Sequence, residues 1–150
     1  MGDTYLYLRF HVIVSTKDRL PLISEEWRKD LYSYMGGIIR HERGKLIEAN
    51  GRPDHVHLLL STRADQSIAE ILRLIKTDSS RWIKGECSPR RNFHWQDGYG
   101  AFTVSASAEA RVARYIVGQT KHHQRVDFKT EFREFLRAHH IEYDERYIWK

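Results

Sequence analysis

Apolar residues recur at every second position near the N-terminus, then at helical spacing, and this switch of period repeats further along. The pattern predicts an α+β fold: a ferredoxin-like split β-α-β sandwich with an antiparallel sheet and additional C-terminal helices. Gly51-Arg52-Pro53 has the composition of a turn between two strand-like runs, which places a hairpin in the middle of the fold. No linker, internal repeat or low-complexity run divides the 150 residues, so one domain covering 1–150 is expected.

The first strand is expected over Tyr5–Thr16. Leu6, Leu8, Phe10, Val12 and Val14 share one face, while Tyr5, Tyr7, Arg9, His11, Ile13 and Ser15 share the other. Ser24 has the chemistry of a helix cap. Trp27, Leu31, Tyr34, Met35, Ile38 and Ile39 then follow at helical spacing, which predicts a helix over 24–43 ended by Gly44. Leu46–Asn50 and Asp54–Ser61 read as strands.

A second helix over 66–84 carries Ile68, Ile71, Leu72, Ile75 and Trp82 as its buried stripe. A basic loop over 85–92 follows it. Phe93–Trp95 and Phe102–Ser105 read as short strands around a Gln96–Gly100 turn. A third helix is expected over 107–122 and a last amphipathic segment over 129–139. The first two helices are expected on one sheet face, leaving His55 and His57 on the other.

Lys and Arg exceed Asp and Glu by 25 to 20, a formal charge of +5 that favours a polyanionic partner. The single cysteine, Cys87, excludes an internal disulfide and suits a reducing compartment. The N-terminal residues lack the pattern of a secretory signal, and no run reaches the roughly 20 apolar residues of a membrane span. A cytoplasmic protein without a membrane partner is expected.

Pro53-Asp54-His55-Val56-His57-Leu58-Leu59-Leu60 carries the most chemistry. In a strand, His55 and His57 point to one face, and paired imidazoles make half of a metal site. The bland alternative is two partly exposed histidines with ordinary hydrogen bonds. A third ligand must come from elsewhere, with His11, Asp54, Gln119, His122 and His123 as candidates. Asp54 would point to the opposite face if the strand has already begun. His11, on the polar face of the first strand, is able to flank the pair, with a structural or phosphate-contacting role as an equal alternative.

Tyr115 and Gln119 stand one helical turn apart on one face. A tyrosine there is ordinarily packing and a glutamine ordinarily solvated. Arg73, Lys76, Lys84, Arg90 and Arg91 form a candidate phosphate track, with Lys121 after the tyrosine helix. Trp95, Tyr99 and Phe102 are interleaved with it as candidate stacking surfaces for unpaired bases. The plain reading leaves these cations solvated and Trp95 and Phe102 in the core.

Four segments together resemble the HUH-type single-tyrosine transposases of small bacterial insertion sequences, including their relatives associated with repetitive extragenic palindromes. They are the histidine strand 53–59, the segment Trp95-Gln96-Asp97-Gly98-Tyr99-Gly100-Ala101-Phe102-Thr103-Val104, the helix Tyr115-Ile116-Val117-Gly118-Gln119-Thr120-Lys121-His122-His123, and Phe128–Phe135 with Glu131. The departure is Gly118, where the family often has a larger polar residue.

The resemblance implies Tyr115 as nucleophile and His55, His57 and Gln119 as ligands of a divalent cation, Mg²⁺ or Mn²⁺. Apart from the resemblance, His11 and Asp54 are candidates to stand behind these ligands. The resemblance also implies cleavage and rejoining of single-stranded, hairpin-bearing DNA through a 5′-phosphotyrosine. A homodimer would place Tyr115 of one subunit against the histidines of the other, with the alternative that the same fold holds Tyr115 in its own subunit. Three other readings are a domesticated HUH nuclease without transposition, a non-catalytic nucleic-acid-binding domain, and a metallohydrolase using water as nucleophile.

Overall fold

The computed structural model describes residues 2–86 and 91–150. In chain order the elements are β1 (Arg9–Ser15), α1 (Arg28–His41), β2 (Lys45–Arg52), β3 (His55–Ser61), α2 (Ile68–Glu86), β4 (Gly100–Thr103), α3 (Glu109–Val117), α4 (Gln119–His122) and α5 (Phe128–Ala138). The four strands lie in the order β2-β3-β1-β4, and all neighbours are antiparallel. This is the expected α+β, ferredoxin-like arrangement with additional C-terminal helices.

Alternation along the two central strands divides the molecule. Val12 and Val14 of β1 and Val56, Leu58 and Leu60 of β3 face α1 and α2. There they pack on Leu31, Met35, Ile39, Ile71, Leu72 and Ile75, all buried. Each such side chain contributes about 1.5–3 kcal/mol by leaving water. The opposite face carries His11, Ile13, Ser15, His55, His57 and Leu59. In the antiparallel register Ile13 sits opposite His57, and Ser15 opposite His55. That second face is covered by α3, α4 and α5 through Ile13, Phe102, Phe128 and Leu136 in one cluster and Leu59, Val104 and Ile116 in another.

Several boundaries differ from expectation. β1 begins at Arg9, because its last partner on β3 is Ser61; Tyr5, Leu6 and Tyr7 have no ladder to join and are exposed. α1 begins at Arg28 rather than at residue 24. Ser24 instead closes the turn before it, its Oγ accepting from the Glu26 amide at 3.1 Å. Gly44 was expected to end α1 by backbone freedom. The left-handed residue is Arg43 (φ 63°), and Gly44 is required because a Cβ there would lie 2.4 Å from the Ser61 carbonyl.

α2 extends to Glu86, and Phe93–Trp95 is reduced to one bridge between Thr16 and Trp95. β4 starts two residues before the expected Phe102. The helix expected over 107–122 is divided at Gly118 (ψ 11°) into α3 and α4. α5 starts at Phe128 because Asp127 caps it, accepting from the Thr130 amide at 2.8 Å. No helix among the described residues is long and apolar enough to cross a membrane.

Candidate active site

The site lies on the sheet face away from α1 and α2. His55, His57, Gln119 and Glu131 are each at most 1% exposed there. Four polar side chains removed from water in one place require partners or an ion. β3 brings His55 and His57 to one side by alternation. α4 brings Gln119, and α5 brings Glu131 at a position on its apolar side, between Phe128 and Phe135.

Glu131 is the hub. Its Oε1 lies 2.9 Å from His57 Nε2 and 3.6 Å from His55 Nε2. Its Oε2 accepts from Gln119 Nε2 at 3.3 Å and from the Tyr115 hydroxyl in a short hydrogen bond. Gln119 Oε1 lies 3.2 Å from His55 Nε2. His123 Nε2 lies 3.1 Å from Glu131 Oε2 but off the hydrogen-bonding direction, and no other described residue partners it. Behind the histidines, Asp54 Oδ1 stands 2.7 Å from His55 Nδ1, and His11 Nε2 stands 2.7 Å from His57 Nδ1.

Electrostatics follow from this burial. Burial pushes His57 down to about 4, against the opposing pull of Glu131. Burial and neighbouring His57 push His11 down to about 3. Both rings are therefore neutral at pH 7 and offer a lone pair. Burial alone would raise the Glu131 carboxyl, but His123, His57 and the Tyr115 hydroxyl outweigh it and hold the group below the usual carboxylate range. Burial and the Glu131 carboxylate push the Tyr115 phenol upward, so it rests protonated. For Asp54, burial pulls upward and is overcome by His55.

His55, His57, His123 and Glu131 each offer a ligand atom, all within 4.8 Å of one another. Three imidazoles and a carboxylate converging in a buried space, one ring nitrogen lacking a well-directed partner, fit a divalent cation. Gln119 borders this group through His55 and Glu131.

Most of the expected site residues come together here: Tyr115, His55, His57 and Gln119, with His11 and Asp54 behind. Asp54 precedes the strand, so it reaches His55 from the turn and does not point to the far face. His123 was one of several open candidates in the sequence. Glu131 was not singled out as a ligand. Its signal was a charge between Phe128 and Phe135 on the apolar face of an amphipathic helix.

The expected DNA surface is more scattered. Trp95 is a correction: it is only 7% exposed, donates from Nε1 to Ser79 Oγ at 3.0 Å and packs edge-on against Phe93, leaving no face for a base. Phe102 is buried too, stacked against Phe135. Lys76 is half-buried and donates to the Gln96 and Gly98 carbonyls at 2.6 and 3.0 Å, bracing that loop. Arg73 is exposed and paired with Glu70 at 2.6 Å. Lys84 is partly exposed, and Arg91, Tyr99 and Lys121 are exposed. Arg90 lies outside the described residues.

Residues 4–119 match the sequence pattern of the family described as "Transposase IS200 like". The ISDra2 transposase TnpA of Deinococcus radiodurans is 28% identical over 124 residues, covering 79% of this chain and 89% of the relative. A solved protein from Deinococcus radiodurans R1, described as a candidate transposase, is 26% identical with a TM-score of 0.61, covering 79% of this chain and 96% of that one. A REP-associated tyrosine transposase solved bound to a REP hairpin shares the fold at 16% identity and a TM-score of 0.61, covering 84% of this chain and 76% of that one. Together with the histidine strand and the tyrosine beside it, these matches make the chain a member of the IS200-like family of HUH single-tyrosine transposases.

Proposed function

We propose that this transposase cleaves and rejoins single-stranded DNA at hairpin-bearing element ends, with Tyr115 as nucleophile. The observation that carries the reading is the hydrogen bond between the Tyr115 hydroxyl and Glu131, which also contacts His57 and Gln119. The phenol is thus held at the edge of the one buried cluster of candidate metal ligands found among the described residues.

In the reaction, the Tyr115 oxygen forms a bond to the scissile phosphorus. The bond from phosphorus to the 3′ oxygen breaks, and that oxygen keeps the electron pair and takes a proton. The result is a 5′-phosphotyrosine and a free 3′-hydroxyl, which conserves the ester for rejoining. The resting phenol needs an acceptor for its proton, and Glu131 Oε2 is the atom it already faces.

His55 and His57 would hold a divalent cation, with Gln119, His123 and Glu131 as the further donors at hand. Such a cation polarises the phosphate and neutralises its developing charge. The nitrogen-rich donor set favours Mn²⁺ over Mg²⁺. Lys84, Arg91, Tyr99 and Lys121 are the expected DNA contacts that stand free enough to serve. Arg73 would have to leave Glu70, and Lys76 acts by supporting the loop that carries Tyr99. We place the reaction in the cytoplasm, with DNA.

A homodimer remains part of the reading, and the outer edges of β2 and β4, which pair with no further strand among the described residues, favour pairing of copies. Tyr115 reaches its own chain's His57, with ring centroids 5.8 Å apart, so a site complete within one chain is the simpler form. Mixing Tyr115→Phe with His55→Ala/His57→Ala protein separates the cases: cleavage returns only if tyrosine and histidines come from different subunits. The main test is trapping a covalent adduct with a hairpin substrate in Mn²⁺. Wild type should form it and Tyr115→Phe should not; an adduct on the Phe variant would overturn the assignment.

A further inference from the structure

A cavity of about 480 Å³ opens beside Tyr115. Its walls come from β1, β4, the 104–108 segment, α3 and the C-terminal end of α5, and its lining includes His11, Phe102, Arg111, Tyr115, Phe135 and His139. None of Phe135, Arg111 or His139 belongs to the metal cluster.

The walls are aromatic in an ordered way. Phe102 and Phe135 stack with centroids 5.5 Å apart and 23° between planes. His139 continues the array, 4.4 Å from Phe102 at 31° and within 19° of the Phe135 plane. His139 is exposed and is held by its Nδ1, which donates to the Phe135 carbonyl at 2.8 Å. Its ring is thereby fixed in orientation while Nε2 and one face stay available. Arg111 on α3 lines the same cavity, is exposed and has no hydrogen bond or ion pair among the described residues. A nearly parallel set of rings sharing a cavity with an uncompensated guanidinium is the chemistry of a base plus its phosphate.

We propose that this cavity is the subsite for one unpaired nucleotide next to the scissile phosphate, its base against His139 and Phe135 and its phosphate toward Arg111. The proposal rests on the reading of Tyr115 as nucleophile, since Tyr115 forms part of the wall. A base seated there would hold the strand so that the adjoining phosphate is presented at the tyrosine side of the cavity. The pocket selects for unpaired DNA, because a base in a duplex has no free face to offer.

The experiment is a titration of the metal-free 150-residue chain with deoxythymidine 5′-monophosphate, followed by NMR. The His139 and Phe135 ring signals and the Arg111 side-chain signal should shift in wild type. An Arg111→Ala/His139→Ala protein should bind at least about tenfold more weakly. Both positions are exposed, so folding is preserved; Val112→Trp, which fills the cavity, gives an independent loss. Absence of shifts at these residues, shifts confined elsewhere, or unchanged affinity in the double variant would overturn the subsite.

A second arm uses a hairpin substrate lacking the base next to the cleaved phosphate. That lesion should slow adduct formation in wild type and have little further effect in the double variant; independent, multiplying losses would argue against the contact. Nucleotide binding without any adduct on DNA would sink the Tyr115 reading and leave the pocket standing. Adduct formation without nucleotide shifts would do the reverse.

Discussion

His11 Nε2 lies 2.7 Å from His57 Nδ1, and both rings are buried. One nitrogen of this pair carries a hydrogen and the other a lone pair. Where His57 Nε2 supplies a lone pair to a cation, its Nδ1 must be the donor and His11 the acceptor. On the proposed metal reading, His11 would be a positioning residue for His57, as Asp54 would be for His55.

The first expectation concerns that pairing. His11→Phe keeps an aromatic ring in the packing with Phe135 but removes the acceptor. Mn²⁺ affinity, measured by calorimetry, should fall about 10- to 100-fold. His11→Asn restores an acceptor and should recover part of it. Equal Mn²⁺ affinity in wild type and His11→Phe would show that His57 needs no such partner.

Acid should destabilise the metal-free protein through the same two rings. Folded His11 and His57 are held down to about 3 and about 4 from an ordinary 6.5, so between those limits only the unfolded chain takes up their protons. Their contribution is constant above about pH 7. It falls on acidification by roughly 1 kcal/mol per pH unit for each ring, and levels off only below the folded values. Urea unfolding in chelator at pH 7 and pH 5 measures it. His11→Phe should show a shallower pH slope than wild type; an unchanged slope would contradict the burial argument.

Glu131 joins structure to chemistry. Glu131→Ala leaves His57 Nε2 and the Tyr115 hydroxyl without their buried acceptor, and should cost about 3–5 kcal/mol by denaturant unfolding. Glu131→Gln keeps the shape and one acceptor oxygen, so it should fold with a smaller loss. It should nevertheless bind Mn²⁺ more weakly and form the Tyr115 adduct at least about tenfold more slowly. A Gln variant with wild-type adduct rate would reduce Glu131 to a packing role.

Gly44 tests the backbone contact rather than a turn preference. Gly44→Ala places a methyl against the Ser61 carbonyl, and relief requires moving the end of α1 away from β3. The expected loss is about 1–3 kcal/mol, read as a lower urea midpoint at unchanged slope. A neutral or stabilising alanine would mean the chain end adjusts freely.

Much of this arrangement was legible in the chain itself. Alternation in Val12-Ile13-Val14 and His55-Val56-His57-Leu58 assigns each residue to a sheet face, because a strand has period two and one face must bury against helices. Helical spacing of Leu31, Met35 and Ile39 locates the covering layer for the same reason. Tyr115 and Gln119 are four apart, which places them on one helical side before any tertiary contact exists.

Other features arose only from packing. β1 stops where β3 supplies no partner, although Tyr5–Leu8 continues its alternation. Trp95 looked available for stacking but is drawn into the core by Phe93 and the Ser79 hydroxyl. Glu131 stands far along the chain from His57, and no local period connects them. Only the docking of α5 on the sheet brings that carboxylate under Tyr115, where burial forces the imidazoles, amide, phenol and carboxylate to satisfy one another.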